Sequence, residues 1–203
     1  RGYAYCGLFH SSEKIKFTTL HIANFAPFFY LCSMDLLREK GVAFTGHRNY
    51  RGESARELEL HLRRLCEGGY RYFYSGMAEG FDLAAAEAVV ALRKEFPIQL
   101  IAVLPHPKQA YGFSAENRLR YAQLLEVADR VVEVASAYHA GCFHRRNDFL
   151  VDNASHLVAY YNGAKGGTHY TLRRARLKGL SIKNLCDPQC LLFDPQSEDN
   201  PII

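Results

Sequence analysis

"YFYSGMAEGFDLAAAEAVVAL", Tyr72 to Leu92, joins two patterns in one breath. An aromatic and apolar run stops at Ser75-Gly76, and two more small residues, Ala78 and Gly80, follow at once. Asp82 then stands at the start of an alanine-rich helical pattern. A strand that ends in small residues and leads straight into a helix start has a physical use. Glycine at a strand end lets the backbone turn sharply and lets a ligand approach the main chain. The N–H groups at the helix start, with the positive end of its dipole, favour phosphate.

The same alternation continues on both sides. "VAFTG" (Val42–Gly46) predicts a short strand, and "SARELELHLRRLCEG" (Ser54–Gly68) a helix with Leu58, Leu62 and Leu65 on one face. "FDLAAAEAVVALRKEF" (Phe81–Phe96) is helical and ends before Pro97. "IQLIAVLP" (Ile98–Pro105) is the most strand-like run, and "SAENRLRYAQLLEVA" (Ser114–Ala128) opens on a capping box weakened to Ser-x-x-Asn. Downstream come a strand in "DRVVEVA" (Asp129–Ala135), a short helix in "FHRRNDFLVDNA" (Phe143–Ala154) and a strand in "HLVAYYN" (His156–Asn162). "GGTHYTLRRARLKG" (Gly166–Gly179) predicts a helix and "LSIKNL" (Leu180–Leu185) a last strand. Parallel pairing needs such crossovers, so the expected fold is α/β: a Rossmann-like doubly wound, mostly parallel sheet with helices on both faces. Residues 1–35 lack periodicity and are expected to be an N-terminal appendage of uncertain order. Residues 36–186 form the domain, and 187–203 have the composition of a disordered tail.

Composition narrows the class. The chain has 203 residues, 48% of them hydrophobic, with a net charge of +4. That charge is compatible with an anionic ligand and too small to demand nucleic acid. No apolar run reaches the roughly 18 residues that span a bilayer. "HIANFAPFFYLCSM" (His21–Met34) contains Asn24 and Pro27 and lacks the layout of a secretory signal. The six cysteines form no CxxC pair. Cys142 with His139 and His144, or Cys186 with Cys190, falls short of a four-ligand site, so no metal is expected. Free thiols fit a reducing, cytoplasmic setting.

In an open parallel sheet, ligands sit beyond the carboxyl ends of the strands. Three such ends carry small or polar residues: "TGHR" (Thr45–Arg48), "SGMAEG" (Ser75–Gly80) and "NGAKGGT" (Asn162–Thr168). Arg48 is placed to pair with a phosphate bidentately, against the alternative of a surface ion pair. His47 is an acid–base group or a polar lid residue. Asp82 caps its helix or accepts hydrogen bonds from a ribose or base. Arg146 and Asn147 fix a ligand or bridge loops. Glu87 is expected in solvent. Tyr111 and Phe113 stack on a base or close the edge of the core.

"VAFTGHR", "YFYSGMAEGFDLAAAEAVVAL", "IAVLPHP" and "RRNDFLVDNASHLVAYYNGAKGGTHYTLRRA" occur in the order expected for the SLOG superfamily, and the chain resembles its YpsA-like branch of uncharacterised bacterial proteins over about Val42 to Leu185. "SGMAEGFD" is similar to the Ser-Gly-x-Ala-x-Gly-x-Asp segment of DNA-processing protein A. "GGT" resembles the Gly-Gly-x-Gly-Thr loop of the lonely-guy phosphoribohydrolases. The resemblance implies a domain that binds a nucleotide or nucleotide derivative, such as ADP-ribose, NAD or a nucleoside monophosphate. It implies ligand contacts at Gly46, His47, Arg48, Ser75, Gly76, Glu79, Gly80, Asp82, Arg146, Asn147, Gly166, Gly167 and Thr168. By analogy with related folds, a homodimer is expected.

The phosphoribohydrolases carry a Glu three residues after the Gly-Thr of their loop, where this chain has Thr171. Opening an N-glycosidic bond needs a carboxylate to support the oxocarbenium-like centre and to activate water. Glu79 and Asp82 are the catalytic candidates, with Glu87 behind them. The departure favours a nucleotide-binding sensor over a nucleotide N-glycosidase. A single-stranded DNA binder is the other alternative, resting on the arginines at 145, 146, 173, 174 and 176.

Overall fold

The computed structural model describes residues 37–186. The expectations for 1–35 and 187–203, and for a Cys186–Cys190 pair, fall on residues outside that range. Six strands, β1 (Gly41–Gly46), β2 (Tyr72–Ser75), β3 (Gln99–Leu104), β4 (Arg130–Glu133), β5 (His156–Tyr160) and β6 (Ser181–Asn184), build one sheet. The order is β4-β3-β2-β1-β5-β6, and every pairing is parallel. Five α-helices supply the crossovers: α1 (Ala55–Glu67), α2 (Phe81–Leu92), α3 (Ala115–Val127), α4 (Cys142–Asp152) and α5 (Gly167–Leu177). A 3₁₀ turn, Gln109–Gly112, follows β3. The expected Rossmann-like, doubly wound class is the one observed, with a sheet that is parallel throughout.

Alternation along the strands sends side chains to two cores. Val42 and Phe44 of β1, Phe73 of β2, and Leu100 and Ala102 of β3 pack with Leu58, Leu62, Leu83, Val89 and Leu124 of α1 to α3. Ala43, Tyr74, Ile101 and Leu157 point the other way, against Leu150 and Val151 of α4 and Leu172 and Ala175 of α5. β1 and β5 are covered on both faces, which is why they read as unbroken apolar runs. β4 lies at the sheet edge and is largely exposed.

The chain visits β2, β3 and β4 on one side of β1, then crosses back through α4 to place β5 on the other. The strand order therefore reverses between β1 and β5. Crevices in open α/β sheets form at such a switch point, outside the carboxyl ends of the strands.

At the opposite end, His156 opens β5 and faces His61 of α1, their Nε2 atoms 3.0 Å apart. Burial first, and the His61 charge second, push His156 down to about 4. Burial also lowers His61, helped by Lys183 and Arg64. A histidine depressed in the folded state stabilises fully above its unfolded pKa of about 6.5. That contribution is lost as pH falls from there toward the folded value. Replacing His156 by Asn removes this titration. Urea-unfolding free energies of the wild type are therefore expected to fall more steeply between pH 6.5 and 4.5 than those of His156→Asn, by a few kcal/mol in total. Parallel pH curves would refute the assignment.

Candidate functional site

A cleft of about 400 Å³ opens at the switch point. That lies in the range of small-molecule sites, about 300–1,000 Å³. Its walls come from four places in the sequence. The β1 end gives Thr45, Gly46, His47 and Arg48; the β2–α2 turn gives Ala78 and Asp82. On the far side, α4 contributes Phe143, His144, Arg146 and Asn147, and the β5–α5 turn contributes Ala164 through Thr168.

The floor is built around Gly76. Its carbonyl accepts hydrogen bonds from Arg146 Nη1 and, at 3.1 Å, from Gln109 Nε2. Gln109 Nε2 also donates to Met77 O at 2.5 Å. A Cβ on Gly76 would sit inside the Arg146 guanidinium and 2.8 Å from Asp82 Oδ2, so only glycine admits this side chain. Ser75 Oγ donates to Asp82 O at 2.9 Å and accepts from Met77 N at 3.1 Å. Met77 itself takes φ 54° while fully buried. A non-glycine residue in that region is held there by its surroundings, here by the bonds from Ser75 and Gln109.

Asp82 and Arg146 form a buried pair, with Nη1 to Oδ2 at 4.0 Å. Burial pushes the Asp82 carboxyl up to about 6, against the pull of Arg146, Arg48 and the Ala78 and Gly46 backbone. Burial likewise lowers Arg146, against the Asp82 charge. Arg146 Nε is taken by Asn147 Oδ1 at 2.7 Å, and Asn147 Nδ2 reaches Gly167 O at 3.5 Å. The chain Asp82–Arg146–Asn147–Gly167 thus ties the two sides of the cleft. Asp82 does not cap its helix: Gly80 holds the N-cap position.

The charge above this floor is positive. Arg48 and Lys165 are exposed on the rim, and neither makes a hydrogen bond or ion pair with a described residue. Gly166 is the N-cap of α5 and offers no side-chain cap, so the first N–H groups of that helix meet the cleft bare. His47 Nε2 accepts from Asn162 N at 3.1 Å, which places its proton on Nδ1. Its ring stacks on Tyr161 at 5.7 Å, and burial lowers its pKa. A neutral His47 whose Nε2 is occupied bolts the β1 and β5 loops together.

Of the residues singled out in the sequence, Gly46, His47, Arg48, Asp82, Arg146, Asn147, Gly166, Gly167 and Thr168 share this cleft. Ser75 and Gly76 lie directly beneath it. Glu79 and Gly80 do not line it. Glu79 Oε1 accepts from Ser114 N at 3.0 Å and from Asn117 Nδ2 at 3.1 Å, while Ser114 Oγ caps Asn117 N at 3.2 Å. The carboxylate missing from the Ser-x-x-Asn box is supplied from another loop. Glu87 pairs with Arg120 at 2.7 Å. Phe113 closes the core beside Tyr121, whereas Tyr111 is exposed. Thr171 is fully buried, and its Oγ1 donates to Gly167 O at 2.9 Å. Of the five arginines read as a basic track, Arg146 is buried and Arg174 pairs with Asp148 at 2.8 Å. Among the described residues no group of three or more His, Cys, Asp and Glu side chains is placed to hold a metal. No helix among them is long and apolar enough to cross a membrane. Sequence reasoning missed Gln109, Phe143 and Lys165, and weighed His144 only as a metal ligand beside Cys142. Lys165 sits inside the Gly-rich loop already singled out; nothing in the spacing marks Gln109.

Comparison with known proteins agrees with this architecture. The model of the YspA SLOG family matches residues 55–184. The uncharacterised SPbeta prophage-derived protein YoqJ of Bacillus subtilis is 33% identical over 123 residues, covering 54% of this chain and 71% of that protein. A UPF0398 protein of Listeria monocytogenes is 28% identical over 142 residues, 64% of this chain and 78% of its own. Among solved structures, DNA processing protein A from Streptococcus pneumoniae aligns with a TM-score of 0.54 at 21% identity, covering 73% of this chain. This chain spans half of that protein's length (50%). The Helicobacter pylori protein of the same name, described for its single-stranded DNA binding mode, aligns with a TM-score of 0.53 at 19% identity, over 74% of this chain and 66% of that one. At such identities the likeness is one of fold.

Proposed function

The chain belongs to the YspA SLOG family, and from that premise we propose that its cleft binds a nucleotide or nucleotide derivative as a sensing or regulatory domain. The observation that carries the proposal is the pairing of an uncapped helix start at Gly166–Thr168 with unpartnered Arg48 and Lys165 over one cleft. Backbone N–H groups, a helix dipole and exposed cations together suit a phosphate. Asp82, recessed between Arg146 and the β2–α2 turn, is the acceptor for ribose hydroxyls. Binding is favoured over N-glycosidic hydrolysis because Thr171 spends its hydroxyl on the helix backbone and Glu79 spends its carboxylate on the start of α3. That leaves Asp82 as the sole carboxylate lining the cleft among the described residues.

The test is calorimetric titration of the purified protein with AMP, ADP-ribose and NAD, with free base monitored in parallel. Saturable binding is expected for at least one, without base release. Arg48→Ala should weaken it roughly tenfold or more, the loss of one charge-assisted phosphate contact. No saturable binding by any of the three, or binding indifferent to Arg48→Ala, overturns the reading. Binding of single-stranded DNA instead, with affinity falling steeply in salt, would move the assignment toward the activity described for the Helicobacter pylori protein.

A further inference from the structure

Three rings meet beside the cleft, and one of them, Phe143, belongs to its wall. The Phe143 ring stands 5.9 Å from that of His106 and 6.4 Å from that of Tyr138. Tyr138 and His106 are themselves 5.6 Å apart at an interplanar angle of 82°. His106, just past the end of β3, is buried. Tyr138, on the β4–α4 loop, is 68% exposed. Two rings therefore brace a third in a fixed orientation while most of its surface stays uncovered. This cluster comes from α4 and from the connections after β3 and β4; the bare helix start comes from the connection after β5.

We propose that this aromatic corner is the base subsite: Tyr138 stacks on the heteroaromatic ring of the ligand, Phe143, inclined at 60° to Tyr138, meets that ring by its edge, and the phosphate rests at Gly166–Thr168. The inference rests on the nucleotide reading and adds to it where the base lies and the means of holding it. The rings present π faces and few groups that read base edges, since His106 is buried beneath them. Stacking of this kind tolerates any base and strengthens with ring area, so purine nucleotides outbind pyrimidine ones.

The chain contains no tryptophan, so Tyr138→Trp introduces a single indole at the corner. AMP is expected to quench its fluorescence on saturation. Ribose 5-phosphate is expected to bind without quenching and to be displaced by AMP. Tyr138→Ala should weaken AMP about tenfold and leave ribose 5-phosphate unchanged; Phe143→Leu serves as a second variant with the same expectation. If AMP binds no better than ribose 5-phosphate, leaves the indole unquenched and ignores Tyr138→Ala, the base subsite is elsewhere and this inference falls, while the phosphate site stands. If neither compound binds, the nucleotide reading itself falls and takes the base subsite with it.

Discussion

Gly80→Ala is expected to cost about 3–5 kcal/mol of folding stability, a sum of backbone strain and forced overlap. Gly80 has φ 79° and ψ −119°, a region that L side chains rarely adopt. A Cβ there would stand 2.5 Å from the carbonyl oxygens of both His47 and Arg48. These are backbone atoms, so relief requires moving the β1 loop rather than turning a side chain. The same loop accepts the Phe81 N–H at His47 O, 3.2 Å, and that bond seats α2 against β1. Chemical denaturation of Gly80→Ala beside Gly69→Ala separates the two contributions. Gly69 also has positive φ, 92°, but nothing lies within 4 Å of its Cβ. Gly69→Ala should therefore lose only about 1 kcal/mol. Equal losses in the two variants would mean that the packing of the loop against α2 contributes nothing.

Arg146→Met is expected to destabilise by about 3–5 kcal/mol at pH 8, because it strands the Asp82 carboxylate without its partner. The pH dependence identifies the cause. Asp82 is already raised to about 6 in the wild type. Without Arg146, the strongest force opposing burial, it rises further. A carboxyl raised in the folded state above its unfolded value of about 3.9 favours folding below that value, and the advantage is lost as pH rises through the folded pKa. The penalty of Arg146→Met should thus shrink on acidification, as Asp82 takes up its proton. The double variant Asp82→Asn with Arg146→Met should recover most of the loss at pH 8, a coupling that a double-mutant cycle measures. A loss of the same size at every pH would show that Arg146 acts through its hydrogen bond to Gly76 and not through Asp82. In the wild type, Asp82 and His156 titrate with opposite sign over overlapping ranges, which partly flattens the acid limb.

Much of the framework was legible because its signals are local. Apolar runs ended by Gly46 and by Ser75-Gly76 are strands covered on both faces and then released from bulk. The Gly166-Gly167-Thr168 stretch is a helix start with no side chain to cap it. Element edges moved slightly: α4 runs Cys142–Asp152 rather than Phe143–Ala154. What the sequence could not disclose is which way a side chain turns and what distant residue meets it. Glu79 occupies the loop that its motif assigns, yet its carboxylate serves Ser114 and Asn117. Gln109 lies beyond β3 in a stretch without periodicity and still holds the carbonyls of Gly76 and Met77. His61 and His156 meet through the register of α1 on β5, which no spacing along the chain reveals.

The return of the chain through α4 has a kinetic corollary. β1 to β4 pair through neighbours in sequence, but β5 must find β1 by joining Val42 to His156. Contacts so distant along the chain carry the largest loop-closure entropy and form late. Arg146 rides on that same late segment, so a half-assembled molecule with β1 to β4 in place still has no guanidinium at Gly76 and no bare helix start across from Arg48. A ligand held in the cleft, as proposed above, would therefore act by retarding the departure from the native state and would leave the early steps of its acquisition untouched.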